Sequence, residues 1–598
     1  MGSLRRRIVT VVALAGLWTA GVVTFNARAW DSSPLNPVYI TKPAPTADRP
    51  FGYNCGPRDN AEYLDIDSKG HRTPRKWIQG DVSKTDQTSG RAKLGYNCGL
   101  ELVGYTPLDG SKSVDHYQRQ NANANMAWAG HCAYVSGASG SNPLTPGFLA
   151  TPPPGGGVAV VDVHDPAKPR HVATLRDPGA LATSETIGAV TTPSGRSILV
   201  VGQYGNNVVV LPPGQPMDIY DVSNDDCTKF VHMGTYYWPK NIHNLTLSHD
   251  GRFVFATIPA QVLDISPLWQ TPKGQPKYIA DIEDYVYGPP LSPGPLADFD
   301  GGAPLPTHPV NTSHEAWLSQ DDRTLYLGAQ TSETEVFTIM DVGNWLYRAD
   351  HPAPTVTSQW AGRGHSIRTA TINGVPYVLH SEESPFGTGY SCVPKEANPF
   401  VGPAQPWLTD ISNPKHPKYV TEMGLEINQV ENCPEQLNAK EDNSVHYHDV
   451  DDPNHTTFVM ASMWNSGIRI FDVRHPDKPT EVAYFNPGDI DPTPGRTTLD
   501  HTWGHIHYDA PTGNIWFASA SGGFWVVHVE GQIRADLGLD QGNQAIGLPP
   551  LQRSANDLGG PGTQGVHFSK PPFGFVDITA YYCTLGSSTS ANKPVGSG

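Results

Sequence analysis

The chain has 598 residues and a formal net charge of −17, with no cluster of Lys and Arg beyond its first seven residues. A thinly spread acidic balance without a basic stripe excludes nucleic acid and anionic membrane surfaces as partners. The 60 glycines and 56 prolines, set against 38% apolar residues, describe a turn-rich globular β protein rather than a disordered chain.

In chain order, Arg5-Arg6-Arg7 precedes an apolar run from Ile8 to Phe25 and the small-x-small site Ala27-Arg28-Ala29. This is the layout of an export signal over residues 1–29, with the mature chain starting near Trp30. The arginines also loosely resemble a twin-arginine signal. The alternative is an uncleaved membrane anchor, the one route by which this chain reaches a membrane. The expected location is secreted, periplasmic or cell envelope. Seven cysteines in such a compartment allow up to three disulfides. Gly52-Tyr53-Asn54-Cys55-Gly56 recurs as Gly95-Tyr96-Asn97-Cys98-Gly99. A bridge from this region to Cys583, or from Cys392 to Cys433, is sensible, but spacing leaves the connectivity open.

Residues 30–120 are polar and rich in Gly, Pro and Asn, and are expected to form an irregular N-terminal cap. From 121 to 539 one pattern recurs seven times: an apolar strand ending in Asp-Val or Asp-Ile, often followed by a Pro-rich turn. The copies end at Asp162, Asp221, Asp264, Asp341, Asp410 and Asp472, with His528 in place of the Asp in the seventh. A turn signal and a short aromatic-rich strand come before each copy, and another strand follows most of them, so the unit is four short strands. Seven four-stranded units predict an all-β, seven-bladed β-propeller closed around a channel. Long insertions between Leu268 and Pro309 and between Ser384 and Glu441 read as lids or binding loops. Residues 540–598 form a C-terminal extension that ends in a Gly/Ser-rich tail expected to be disordered.

The strand ending in Asp-Val or Asp-Ile and the S-x-P-x-x-P turn, as in PWLTDISNPKHP around Asp410, resemble the LVIVD-repeat family of seven-bladed propellers. The resemblance covers roughly Asn121 to Leu539 and implies a fold and little chemistry.

Five histidines hold one position in consecutive repeats. His243, His314, His365, His446 and His505 each lie twelve residues before an aromatic residue: Phe255, Tyr326, Tyr377, Phe458 and Phe517. The same count in the first two repeats lands on Ala122 and Ile187, which offer no donor. In a propeller, equivalent positions lie on a circle, so the imidazoles can converge on one metal ion. The competing reading is a structural ring inherited by duplication. His448 and His507, two residues beyond His446 and His505, fall on the same strand face and could deepen the site. His501, beside Asp500, is a candidate for proton transfer. Glu315, Glu441, Asp442 and Asp449 are candidate carboxylates for orienting imidazoles.

An all-imidazole set suits copper or iron, with zinc a third choice, over calcium or magnesium. The arrangement is similar in architecture alone to carotenoid cleavage oxygenases, with four histidines on iron, and to propeller methanethiol oxidases of the selenium-binding type, with copper. The function expected is an exported metal-dependent oxidoreductase acting on a small or apolar molecule at the channel mouth. The alternatives are a non-catalytic propeller binding a protein or cell-envelope partner, and a zinc-dependent hydrolase or lyase.

Overall fold

The computed structural model describes the seven blades and a few short strands upstream of them. Residues 1–63, 80–95, 109–121, 139–155, 205–213, 283–312, 382–404, 426–442, 488–499 and 538–598, with several shorter stretches, lie outside the described residues. The export signal, the C-terminal extension and the cysteines 55, 392, 433 and 583 fall there.

The recurring strand-ending Asp has a local cause. Its carboxylate accepts a hydrogen bond from the backbone N–H two residues on, in Asp162 to His164, Asp221 to Ser223, Asp264 to Ser266, Asp341 to Gly343, Asp410 to Ser412 and Asp472 to Arg474. This Asx turn stops the third strand of each blade and sends the chain into the fourth. In every blade the pairing of third and fourth strands slips once, at a bulge such as Val262/Leu263 or Ile470/Phe471. A bulge strengthens the right-handed twist that a propeller blade needs.

The innermost strands are Ala122–Ala129, Ile187–Thr191, Leu245–Leu247, Ser313–Leu318, Ser366–Ile372, His448–Val450 and His507–Asp509. Blades one to six continue outward in sequence order. Blade seven takes its fourth strand from the other end of the chain, where Leu100–Thr106 pairs with Gly523–Val529. Tyr96–Cys98 adds a fifth strand to blade six, and Ile78–Gln79 pairs in parallel with Gly424–Leu425. The stretch read as an irregular cap therefore supplies the strand that closes the ring. Its alternating pattern, Leu100, Leu102 and Gly104 inward, is legible only once blade seven is seen to lack a strand.

Seven apolar cores lie between neighbouring blades. Phe253, Phe255, Leu325 and Trp345 fill the seam of blades three and four, and Met126, Val135, Trp516, Phe524 and Val526 fill the seam that joins blade seven to blade one. Each such side chain contributes roughly 1.5–3 kcal/mol by leaving water. The Cys132–Cys227 disulfide, across 95 residues, ties blade one to blade two. Sequence spacing had not singled out this pair. Chain entropy alone gives a cross-link of that span up to about 4–5 kcal/mol, so a Cys132→Ser, Cys227→Ser variant is expected to unfold at a markedly lower denaturant midpoint. An unchanged midpoint would show that the denatured chain is already compact around this pair.

Candidate metal centre

The long connections, 139–155, 205–213, 283–312, 330–335, 382–404, 426–442 and 488–499, all join strand ends on one face of the ring: second strand to third, or one blade to the next. The candidate histidines stand at that same face, where the innermost strands begin.

The strand-ending Asp marks equivalent positions. In blade three Asp264 pairs with Phe253, and Ala256, three residues further along that strand, pairs with Leu245. His243 is two residues before Leu245. The same construction leads through Leu327 and Ala316 to His314, through His380 and Ile367 to His365, and through Ala461 and His448 to His446. Blades three to six thus carry the expected histidines in register.

The construction corrects the other three blades. In blade two, Asp221 pairs with Ile198 and Val201 with Ile187, so the ring position is Glu185, not Ile187. The hairpin turn of blade two is longer than that of blade three, and a fixed count of twelve cannot follow it. In blade one the position is Ala124 rather than Ala122, because the hairpin turn there is two residues shorter than in blade three. In blade seven it is Gly504, and His505 stands one residue further along. An independent contact agrees. Thr257 Oγ1 donates to the carbonyl of His314, and the equivalent Ser462 Oγ donates to the carbonyl of Gly504, at 2.6 Å. A Cβ at Gly504 would lie 2.6 Å from the Ala124 carbonyl oxygen, so blades seven and one approach too closely there for a side chain.

The site is therefore four imidazoles and a carboxylate on five successive blades, all of them buried. Ring centroids step around the channel at 5.9 Å from His243 to His314, 3.5 Å from His314 to His365 and 4.7 Å from His365 to His446. Glu185 lies across from them, 3.7 Å from His243 Nε2 through Oε2 and 3.9 Å from His446 Nε2 through Oε1. Donor atoms of Glu185, His243 and His314 all lie within 4.8 Å of one another. His446 Nδ1 donates to the Trp503 carbonyl at 2.7 Å, which fixes the tautomer and leaves Nε2, with its lone pair, facing the centre. That outer hydrogen bond is what a metal-binding histidine ordinarily has.

Tyr447 supports the carboxylate. Its hydroxyl donates to Glu185 Oε2 at 2.6 Å and accepts from Asn244 Nδ2 at 3.4 Å, while its ring lies 4.6 Å from that of His446 and 5.7 Å from that of His365. Trp464 and Trp503 stack at 5.6 Å beside His446. His501 packs against this pair, 5.1 Å from Trp464 and 6.2 Å from Trp503, and its backbone N–H donates to Asp500 Oδ1. The two indoles contact both His501 and His446.

Below the ring, Arg368 is buried in the channel. Its guanidinium donates to Glu315 Oε1 and Asp449 Oδ1, contacts His505 Nδ1 at 2.7 Å, and lies 4.0 Å over Trp317. Glu315 also accepts from the Ile367 N–H, and Asp449 from the Ile506 N–H. Arginine only donates, so His505 accepts from it at Nε2, 3.0 Å away, while its Nδ1 donates to Asp449 Oδ2 at 3.0 Å, and burial holds its imidazole down to about 3. Glu315 and Asp449 hold this cluster instead of the ring imidazoles. His448 lies buried in the field of the same cluster, with its pKa well below the usual range. His507 is sandwiched between Trp128 and Trp516 in the seam with blade one. His448 and His507 therefore do not join the four ring imidazoles. Glu441 and Asp442 lie outside the described residues.

Glu185, Tyr447 and Arg368 escaped sequence reasoning. Glu185 breaks the histidine pattern, and Tyr447 and Arg368 matter only through partners more than fifty residues away. The proline-free approach Thr183-Ser184-Glu185-Thr186 before an apolar strand was the one available signal, because an acidic residue there has to be buried.

The buried imidazoles give a pH expectation. Burial, then neighbouring imidazoles, lower His314, and burial lowers His507 to about 3. The unfolded chain takes up these protons near 6.5 while the folded chain does not, so their stabilisation is present above that pH and is lost as pH falls toward 3. The thermal unfolding midpoint is expected to drop steadily over that window. A flat profile would mean that the histidines charge as easily folded as unfolded.

No protein-family model and no curated protein matches the chain. Among solved structures it is similar in chain path to the Cps50 (Swd1) β-propeller domain of Myceliophteria thermophila, at 10% identity over 69% of this chain and 97% of that one, with a TM-score of 0.39. It is likewise similar to Kuenenia stuttgartiensis hydrazine synthase, at 10% identity, the same coverages and a TM-score of 0.40. The class is that of the seven-bladed β-propellers.

Proposed function

We propose that Glu185, His243, His314, His365 and His446 hold a transition metal, iron or copper, and that the protein is a metal-dependent oxidoreductase acting on a small or apolar molecule at the histidine face. One observation carries this: five donors from five blades meet in a buried spot where nothing but an ion would recompense the crowding of imidazoles. The carboxylate adds a hard anionic oxygen to soft-to-borderline nitrogens and so favours iron more than an all-imidazole set would. A bound metal of this kind supplies redox chemistry. The chain's own part is to fix the donors: Trp503 sets the His446 tautomer, Tyr447 steers Glu185, and Trp464 and Trp503 form an apolar wall beside His446. Tyr447 is also the protic group nearest the carboxylate, which makes it a better proton-transfer candidate than His501 or Asp500.

Elemental analysis of full-length protein purified without chelator tests the reading, followed by an oxygen-consumption screen. One equivalent of iron or copper supports it. Absence of bound metal, with no thermal shift on adding Fe(II) or Cu(II), would sink it. Stoichiometric zinc without oxygen uptake would favour the hydrolase or lyase reading, in which Glu185 and Tyr447 serve acid–base chemistry. A propeller that binds a protein partner is the reading left if neither metal nor activity is found.

We further propose that the protein is exported, on the support of the disulfide and the signal-like first 29 residues; no helix among the described residues is long and apolar enough to cross a membrane. Membership of the LVIVD-repeat group is proposed on the Asp-Val and Asp-Ile turns.

A further inference from the structure

A second set of donors stands on the opposite face of the ring, where the short turns between first and second and between third and fourth strands emerge. His131 lies in the hairpin turn of blade one, His164 in the turn after its third strand, and Asp225 in the corresponding turn of blade two. His131 Nδ1 is 3.0 Å from Asp225 Oδ1, His164 Nε2 is 3.0 Å from Asp225 Oδ2, and the two imidazoles stack at 4.4 Å. Donors bound tetrahedrally to zinc at about 2.0–2.2 Å stand roughly 3.3 Å from one another, and one donor atom from each of the three residues lies within 4.8 Å of the other two, so a modest rearrangement lets them share an ion.

The turns are fixed by more than the chance of surface packing. Cys132 follows His131 directly and is bonded to Cys227, two residues after Asp225. The covalent link therefore pins a donor of blade one against a donor of blade two. His164 Nδ1 is held at 2.7 Å by Asp162, which Arg170 holds in turn. A carboxylate on the far nitrogen of an imidazole is the usual support of a metal-binding histidine. His164 also faces a carboxylate with each of its nitrogens, and Asp225 and Asp162 together draw a second proton onto its imidazole, raising its pKa. A cation between Nε2 and Asp225 takes the place of the second proton. The three side chains are 43–65% exposed, which leaves room for water to complete the coordination.

We propose that His131, His164 and Asp225 form a second, solvent-open binding site for a borderline divalent transition ion of the zinc type, structural in role, bridging blades one and two beside their disulfide. It stands independently of the ring. The test is calorimetric titration of zinc chloride into metal-stripped full-length protein, comparing wild type with Asp225→Asn and with His164→Gln. Both residues are exposed, and thermal unfolding of the stripped variants checks that the fold is kept. Each variant is expected to lose one zinc equivalent, or to bind it roughly tenfold or more weakly. Asp162→Asn should keep that equivalent but weaken it, through loss of orientation. A His314→Ala, His365→Ala variant should still bind it, which separates failure of this site from failure of the ring. Zinc binding identical in wild type and Asp225→Asn would overturn the proposal, as would a wild type that takes up no zinc beyond what the ring variant loses.

Discussion

Replacing His314 and His365 together by alanine is expected to abolish metal retention through gel filtration and, with it, any oxygen-dependent activity. Their rings are the closest pair in the ring, 3.5 Å between centroids, and they come from adjacent blades, so their loss removes half of the imidazoles from one side. Disturbing an outer partner of a metal ligand typically costs 10–100-fold in affinity; losing two ligands should cost more than about 100-fold. Glu185→Gln should act in the same direction but less strongly, because an amide oxygen can still occupy the position while its charge is gone. Tyr447→Phe should leave metal content near wild type and change the pH dependence of activity, since it removes the proton next to Glu185 and no donor. A purely structural ring makes a different forecast. Removing imidazoles would then relieve crowding or open a cavity, shifting stability by a few kcal/mol in either direction, with metal content unaffected. If the double variant and the wild type carry the same metal, these histidines are not the ligands.

Arg368→Met is expected to be the most destabilising single change in the channel. The guanidinium satisfies Glu315 and Asp449 together, in a buried position, and lies over Trp317. Removing one partner of a buried ion cluster leaves uncompensated charge and typically costs about 3–5 kcal/mol. Neutralising the stranded carboxylates in the same chain, with Glu315→Gln and Asp449→Asn, should recover much of that loss, because a neutral amide is far less costly to bury. Denaturant unfolding of the single, double and triple variants reads the effect directly. Failure of the added substitutions to restore any stability would show that Arg368 acts through its packing on Trp317 and not through charge. The same variant bears on His505: without the arginine's charge, which opposes protonation, and with the Asp449 carboxylate beside it, its imidazole takes up a proton from solvent more readily.

The surface reading of the repeat was sound where the physics is local. An Asx turn depends on a carboxylate and an N–H two residues apart, so Asp-Val and Asp-Ile announced the end of the third strand six times without reference to anything distant. Period-two alternation did the same for the strands. The histidines of blades three to six were legible because the ring position happens to be reached through recurring aromatic residues. The matches through Tyr377 and Phe458 were coincidental, however: the residues equivalent to Phe255 are Leu379 in blade five and Met460 in blade six, and altered hairpin turns restore the register.

Counting failed in blades one and two, where the hairpin turn changes length, and in blade seven, where the count began one residue away from the equivalent position. His505 was assigned to the ring because the count began at Phe517, whereas the residue equivalent to Phe255 is Trp516, twelve residues after Gly504; the fold turns His505 instead toward Arg368 and Asp449. Glu185 was invisible for the converse reason: it occupies the right place with a different chemistry, two residues from where the count landed the search on Ile187. The closing strand Leu100–Thr106 and the Cys132–Cys227 bridge were equally hidden, because each pairs segments separated by 95 residues or more.

What the sequence determined by itself was the class of architecture, the number of blades and the four histidines of blades three to six, since these follow from side-chain alternation, turn chemistry and repetition along the chain. Only the tertiary structure decided which donors meet. Convergence on the axis depends on strand register across blades, and register is set by hydrogen bonds and packing between residues that are remote in sequence, so no count along the chain can supply it.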